Sequence, residues 1–273
     1  MPGSKTHHQI LIIGAGAAGI ATASSLLARD ASLDIALIDP ADTHYYQPGW
    51  TMVGAGVFQP ESTARRMATV IPAKARWIKA AVERFDPTEH CVTLDDGRVV
   101  GYEQLVVCPG LKLDWDAIDG LRETLGRNGV TSNYRYDLAP YTWQLAQQLK
   151  QGRALFTQPP MPIKCAGAPQ KAMYLSCDHW ARSARLPHIN TEFHNAGGVL
   201  FGVAEYVPAL MEYVQKYSID LKFGSRLVAV DGPRQRATFV RTLADGASET
   251  TEQAFDMLHV VPPQIAPDFI RQS

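Results

Sequence analysis

The chain has only four cysteines in 273 residues, and none stands in a C-x-x-C pair. Cys91, Cys108, Cys165 and Cys177 are irregularly spaced, which excludes a disulfide scaffold or a zinc ribbon and points to a reducing compartment. No apolar run reaches the ~18 residues of a membrane-spanning helix. Met1–Gln9 is short and polar, and Ile10–Ile13 is only strand-length, so no secretory leader is expected. Neither sign of charge dominates: 26 basic and 27 acidic residues leave a net charge of −1, and no nucleic acid or other polyanion is expected as a partner. The eight histidines form no H-x-x-x-H pair and no cluster with cysteine, so no metal site is expected. Low-complexity tracts and short-period repeats are also missing.

What is there reads as an α/β chain. A 46% hydrophobic fraction and 19% charged residues are ordinary for that class, and 273 residues suggest about two domains. Gln9–Ile13 reads as a buried strand, Gly14-Ala15-Gly16-Ala17-Ala18-Gly19 as a phosphate turn, Ile20–Arg29 as a helix and Asp34–Ile38 as the next strand, ending at Asp39. In that unit Gly14 permits the turn, Gly16 lets the backbone approach a pyrophosphate, and Gly19 lets helix and strand pack. The helix N-terminus favours the phosphate charge, and Asp39 lies 20 residues past Gly19, where an acidic side chain meets ribose hydroxyls. A dinucleotide is therefore expected; the turn by itself does not separate FAD from NAD, and a purely structural turn is the alternative.

Trp77–Phe85 and Cys91–Leu94 read as strands, Asp95-Asp96-Gly97-Arg98 as a hairpin turn, and Leu105–Cys108 as an apolar strand closed by Pro109-Gly110. Helices are expected at Tyr141–Lys150 and Val207–Tyr217, and strands at Glu192–Ala196 and Lys222–Val230. Met257–Val261, closed by Pro262-Pro263, echoes the strand and stop at Leu105–Pro109. The expected organisation is two Rossmann-like dinucleotide-binding domains with the second inserted into the first. Residues 1–112 form the first, 113–263 the second, and 264–273 a truncated return, with the rest of the C-terminal return missing.

The segment 153–175 departs from the phosphate-turn pattern. A strand over Arg153–Thr157 leads into Gln-Pro-Pro-Met-Pro-Ile-Lys-Cys-Ala-Gly-Ala-Pro-Gln-Lys, and a helix begins near Pro169. Prolines, Lys164 and Cys165 occupy the place where a second glycine-rich turn would cradle a nicotinamide cofactor. Lys164, Lys171 and the helix N-terminus put positive charge near Cys165, which favours its thiolate form and suits it to sulfur chemistry. A small buried hydrophobe is the bland alternative for Cys165. A Cys165–Cys177 disulfide is not expected, because two helical turns separate them by ~10 Å along the axis; Cys177 and Cys91 read as core. His44-Tyr45-Tyr46-Gln47-Pro48-Gly49-Trp50 reads either as a core aromatic cluster or as a loop over a cofactor that Gln47 hydrogen-bonds.

The Gly-Ala-Gly-Ala-Ala-Gly turn, His-Tyr-Tyr-Gln-Pro-Gly-Trp-Thr-Met-Val-Gly-Ala-Gly and Pro-Ile-Lys-Cys-Ala-Gly-Ala-Pro-Gln-Lys-Ala-Met-Tyr-Leu together resemble the sulfide:quinone oxidoreductases, of the flavin disulfide reductase superfamily. The likeness is to the branch holding the mitochondrial enzymes and their bacterial relatives, and it runs through essentially the whole chain. It implies FAD in the first domain, contacted around Gly14, Gly16, Ala17, Ala18, Gly19, Asp39, Gln47, Val82 and Gly110. It implies sulfide oxidation to sulfane sulfur at two cysteines, one matching Cys165 and one in a later segment that this sequence does not include. Electrons then pass through the flavin to a ubiquinone-type quinone, and glutathione, sulfite or sulfide takes the sulfur. By the same resemblance the protein sits peripherally on the cytoplasmic face of a bacterial inner membrane, with soluble cytoplasm as the alternative, and a monomer and a homodimer are both open. Another flavin reductase, such as a type II NADH:quinone oxidoreductase, or an inactive FAD-binding fragment are the competing readings.

Overall fold

A computed structural model describes residues 6–243 and 246–272. The fold is mixed α/β, and the chain divides into two compact units. The first comprises the residues up to Tyr46, Ala64–Lys112, and the chain from Ala266 onward; the second comprises Gln47–Thr63 and Leu113–Ile265.

The first unit is built on β1 (Thr6–Ile13), α1 (Ala17–Arg29), β2 (Ile35–Ile38), β3 (Arg76–Ile78), β4 (Val82–Asp86), β5 (Cys91–Leu94) and β6 (Val99–Val107). They form one sheet in the order β3-β2-β1-β6-β5-β4. β1, β2, β3 and β6 are parallel, and β4 and β5 join antiparallel. Leu11, Ile12, Ala36 and Leu37 are fully buried, as expected for central parallel strands covered on both faces. The small residues of α1 let it lie close on the sheet through Gly19 and Ala23.

The expected single strand Trp77–Phe85 is instead two. Its first half is β3, beside β2, and its second half is β4, at the other end of the strand order. The chain breaks at residues 79–81, where Ala80 N–H folds back onto the Ile78 carbonyl and Ala81 N–H is held by the Asp95 carboxylate. The residues from Ala266 form a short helix, Asp268–Arg271, whose Phe269 stacks on Phe85 at 5.7 Å. Asp268 pairs with Lys112 at 2.6 Å.

The second unit carries α2 (Ala139–Gln148), β7 (Gly152–Gln158), α3 (Gly167–Arg182), β8 (Ile189–Asn195), α4 (Val207–Lys216), β9 (Asp220–Phe223), a meander of β10 (Ser225–Asp231), β11 (Arg236–Thr242) and β12 (Ser248–Ala254), and β13 (Met257–His259). The two-residue strand Val130–Thr131 precedes them, and the parallel sheet runs Val130–Thr131, β13, β7, β8, β9. α3 buries Ala172, Met173, Cys177 and Trp180 against this sheet, and the Trp180 indole N–H donates to the Ala146 carbonyl at 2.8 Å.

Two expectations change here. The expected strand Lys222–Val230 is split at Gly224 into β9 and β10, which belong to different sheets; the glycine's φ of +66° supplies the turn. The segment 47–63, placed by its position in the sequence within the first domain, belongs to the second unit. Trp50 and Val53 pack on Ala139 and Tyr136, and Gly54 and Gly56 sit so close to Asn133 and Trp143 that a Cβ at either would lie 2.3 Å from the neighbouring side chain. Among the described residues no helix is long and apolar enough to cross a membrane.

Candidate functional site

Cys165 stands at the end of the loop between β7 and α3. Ile163 anchors the loop in the core, and Lys164 N–H donates to Gln264 Oε1 at 2.7 Å. The Cys165 carbonyl accepts from Ala168 N–H at 3.1 Å and from the Tyr134 hydroxyl at 3.2 Å. The backbone is thus pinned while the residue itself is exposed. Burial raises the Tyr134 pKa above the ordinary phenol value, so its hydroxyl keeps the proton it donates.

A cavity of about 160 Å³ opens beside the thiol. Its wall includes Gln47, Thr51, Asn133, Tyr134, Lys164 and Lys171 as well as Cys165, all in the second unit. The Lys164 ammonium donates to Gln47 Oε1 and lies 5.0 Å from the centre of the Tyr134 ring and 6.0 Å from that of Trp50. Loss of water against these rings lowers the Lys164 pKa, and the neighbouring Cys165 pulls it the other way. Among the described residues neither Lys164 nor Lys171 hydrogen-bonds the sulfur, and the Lys164 ammonium is directed to Gln47.

Asn133 in the cavity wall rests on a buried histidine. Asn133 N–H donates to His259 Nε2 at 2.9 Å, and the His259 ring stacks on Phe156 at 5.9 Å. Full burial brings the His259 pKa down to about 4, which keeps the imidazole neutral and able to accept. The unfolded chain would bind a proton at His259 below about pH 6.5, whereas the folded protein does so only near 4. Its contribution to stability is therefore complete above about pH 6.5 and is lost as pH falls toward 4, about 3 kcal/mol in all. Denaturant unfolding at pH 7.5 and 4.5 will show this loss, and His259→Gln will flatten it; equal slopes in both proteins would refute the assignment.

In the first unit the glycine-rich turn divides into two kinds of position. Gly14 has a φ of +95°, and a Cβ there would lie 2.3 Å from the Cys108 carbonyl oxygen; at Gly19 it would lie 1.9 Å from the Gly14 oxygen. Both are needed for packing. Gly16 is the reverse: a Cβ would meet nothing within 4 Å. Ala17 and Ala18 are exposed in the first turn of α1. Asp39 Oδ2 accepts from Ala15 N–H and Oδ1 from Ala41 N–H, each at 2.8 Å, so the carboxylate shapes the turn and keeps spare lone pairs for a hydroxyl. Val82 is buried in the core of this unit, which leaves its backbone as what it could offer a ligand, and Gly110 is exposed with a φ of +75°.

The profile of the pyridine nucleotide-disulphide oxidoreductases matches residues 8–141. The mitochondrial sulfide:quinone oxidoreductase of Mus musculus is 37% identical over 270 residues, 99% of this chain and 60% of that protein. That of Dictyostelium discoideum is 37% identical over 271 residues, 98% of this chain and 59% of that protein. The chain belongs to the sulfide:quinone oxidoreductase family. It spans about 60% of the length of these curated relatives. The crystal structure of the sulfide:quinone oxidoreductase of Aquifex aeolicus has the same fold, with a TM-score of 0.81 at 20% identity over 97% of this chain and 60% of that one.

Against that family background the four thiols are unequal. Cys177 is fully buried, and burial pushes its pKa up to about 12; Cys91 is buried, Cys108 half-buried and Cys165 exposed. A disulfide-exchange reagent will therefore label Cys165 first and Cys177 only on unfolding. Labelling of native protein that Cys165→Ser leaves unchanged would contradict this. Asn133, Tyr134, His259 and Gln264 are the site residues that sequence reasoning did not single out for the site. Each is an ordinary polar or aromatic residue separated in sequence from Cys165, and none sits in a spaced motif.

Proposed function

We propose that this protein oxidises sulfide at Cys165 with FAD as the electron carrier and a quinone as the final acceptor. The observation that carries the reading is the exposed Cys165 thiol, pinned by its backbone beside a cavity that Lys164 and Lys171 help to line, in the loop where a nicotinamide-binding domain would place a glycine-rich turn. That loop speaks against a type II NADH:quinone oxidoreductase.

The residues present fit the dinucleotide. The space over Gly16 and the exposed first turn of α1 would take the pyrophosphate, and the spare lone pairs of Asp39 a ribose hydroxyl. A bound flavin supplies a two-electron acceptor. Cys165 does the rest. Hydrosulfide attacks the partner sulfur of a disulfide between Cys165 and the second cysteine that the family resemblance places in a later segment, forming a new sulfur–sulfur bond on that cysteine and releasing Cys165 as thiolate. Sulfide loses two electrons overall, the quinone takes two electrons and two protons, and a small thiol, sulfite or a second sulfide carries off the sulfane sulfur. Use of a quinone implies peripheral attachment to the membrane that holds it, the cytoplasmic face in a bacterium; the curated relatives are mitochondrial by name.

The test is the visible spectrum of the purified, FAD-loaded protein before and after anaerobic sulfide. Bleaching of the flavin band supports the reading. A loaded protein that also carries the second cysteine, and whose band does not respond to sulfide, refutes it.

A further inference from the structure

Asp39 is the residue at which the chain leaves β2, and its carboxylate holds the glycine-rich turn through Ala15 N–H. Its second oxygen accepts from Ala41 N–H, two residues along the chain. That bond is local and cannot fix Asp39 against the sheet. The backbone of Asp39 does so, and it does so in an unusual way.

β2 and β3 pair in parallel, with Leu37 opposite Trp77 and Ile38 opposite Ile78. Asp39 N–H carries the ladder one bond further, to the Ile78 carbonyl at 3.2 Å. In a continued parallel ladder the Asp39 carbonyl would next accept from Ala80 N–H. That donor is spent elsewhere, because Ala80 N–H turns back onto the Ile78 carbonyl at 3.0 Å. The Trp77 indole takes its place: Nε1–H donates to the Asp39 carbonyl at 2.9 Å. The indole is itself held, since Trp77 packs against the cluster that contains Ala15, Leu37 and Met67. A side chain thus supplies the ladder bond that the break at residues 79–81 removes.

An aspartate has one methylene between backbone and carboxylate. Where its oxygens sit is decided by where its backbone sits, and Trp77 fixes that backbone. We infer that Trp77 is a positioning residue for recognition of the adenosine ribose, acting through Asp39. The inference rests on the flavin reading above and on its ribose contact at Asp39. All the residues it uses belong to the first unit.

The test measures binding of FAD, and of FAD built on 2′,3′-dideoxyadenosine, to the wild-type chain and to Trp77→Phe by calorimetric titration. Phenylalanine keeps an aromatic ring in the packing and removes the N–H. Wild type binds the dideoxy compound about thirtyfold more weakly than FAD, the scale of hydrogen bonds to a charged group. Trp77→Phe binds FAD about fivefold more weakly than wild type, the scale of one misplaced hydrogen bond. It binds the dideoxy compound as wild type does, because that compound has no hydroxyl for Asp39 to read. Trp77→Met, a flexible side chain that fills irregular space, serves in its place if the phenylalanine variant does not fold.

A Trp77 that only supports the fold would weaken both compounds by the same factor, and that result overturns the inference. Unchanged FAD binding in the variant overturns it too. A wild-type protein that binds the two compounds equally well overturns the ribose contact and the role of Trp77, and leaves the flavin reading intact. A wild-type protein that binds neither compound overturns both. Sulfide-dependent bleaching of the flavin, scored separately, reports on the function reading alone.

Discussion

Cys165→Ser will keep its flavin and lose its response to sulfide. The backbone contacts that hold the loop run through the Cys165 carbonyl and the Lys164 N–H, not through the sulfur, so serine leaves the loop and the cavity in place. What disappears is the only exposed thiol among the described residues. A serine hydroxyl does not ionise at neutral pH and forms no disulfide, so it can neither be displaced by hydrosulfide nor donate an electron pair. Cys177 cannot stand in. It is fully buried, and burial holds it protonated with a pKa near 12. The rate of flavin reduction by sulfide should fall by at least about 10³-fold, the scale on which loss of a nucleophile is felt. Stopped-flow absorbance on the loaded protein measures it. A variant that retained the wild-type rate would remove Cys165 from the chemistry.

The glycine-rich turn supports a second large effect, with opposite outcomes at neighbouring positions. Gly16→Val should fold as well as the native chain and bind flavin far more weakly. Gly16 has a φ of −72°, which any residue adopts, and nothing within 4 Å of its would-be Cβ, so the apo protein changes in stability by no more than about 1 kcal/mol. The branched side chain instead fills the space the pyrophosphate needs, and a clash of about 3 kcal/mol lowers FAD affinity about a hundredfold. Gly19→Ala should do the reverse. Its Cβ would sit 1.9 Å from the Gly14 carbonyl oxygen, so the turn or the helix must shift, and the apo protein loses about 3 kcal/mol. Thermal unfolding without cofactor and FAD titration separate the two. If Gly16→Val bound FAD like the native chain, the turn would not be the phosphate site.

Much of the first unit was legible from the sequence because its signals are local. The strand, turn and helix from Gln9 to Arg29 are adjacent in the chain, and Gly19 answers a constraint from Gly14, five residues away. The strand pairs that were misread failed for one reason. Trp77–Phe85 and Lys222–Val230 each mix apolar residues with charged ones, and period and composition do not show where a strand changes neighbours. The break at residues 79–81 depends on Asp95, and the one at Gly224 on which sheet each side joins.

By itself the sequence determined the α/β class and the place of the glycine-rich turn, and it singled out Cys165 as the thiol proposed to react. Those features need residue types at fixed short spacing, and short spacing is written in the chain. Only the tertiary structure decided that 47–63 belongs with the second unit, that Lys164 turns its ammonium to Gln47, and that Asn133 is part of the cavity wall with its amide buried and unpaired among the described residues. These facts depend on contacts between residues some 80 to 130 positions apart, such as Trp50 with Ala139, Gln47 with Lys164 and Asn133 with His259. Such contacts follow from how the sheet and helices pack, and no pattern along a single chain records them.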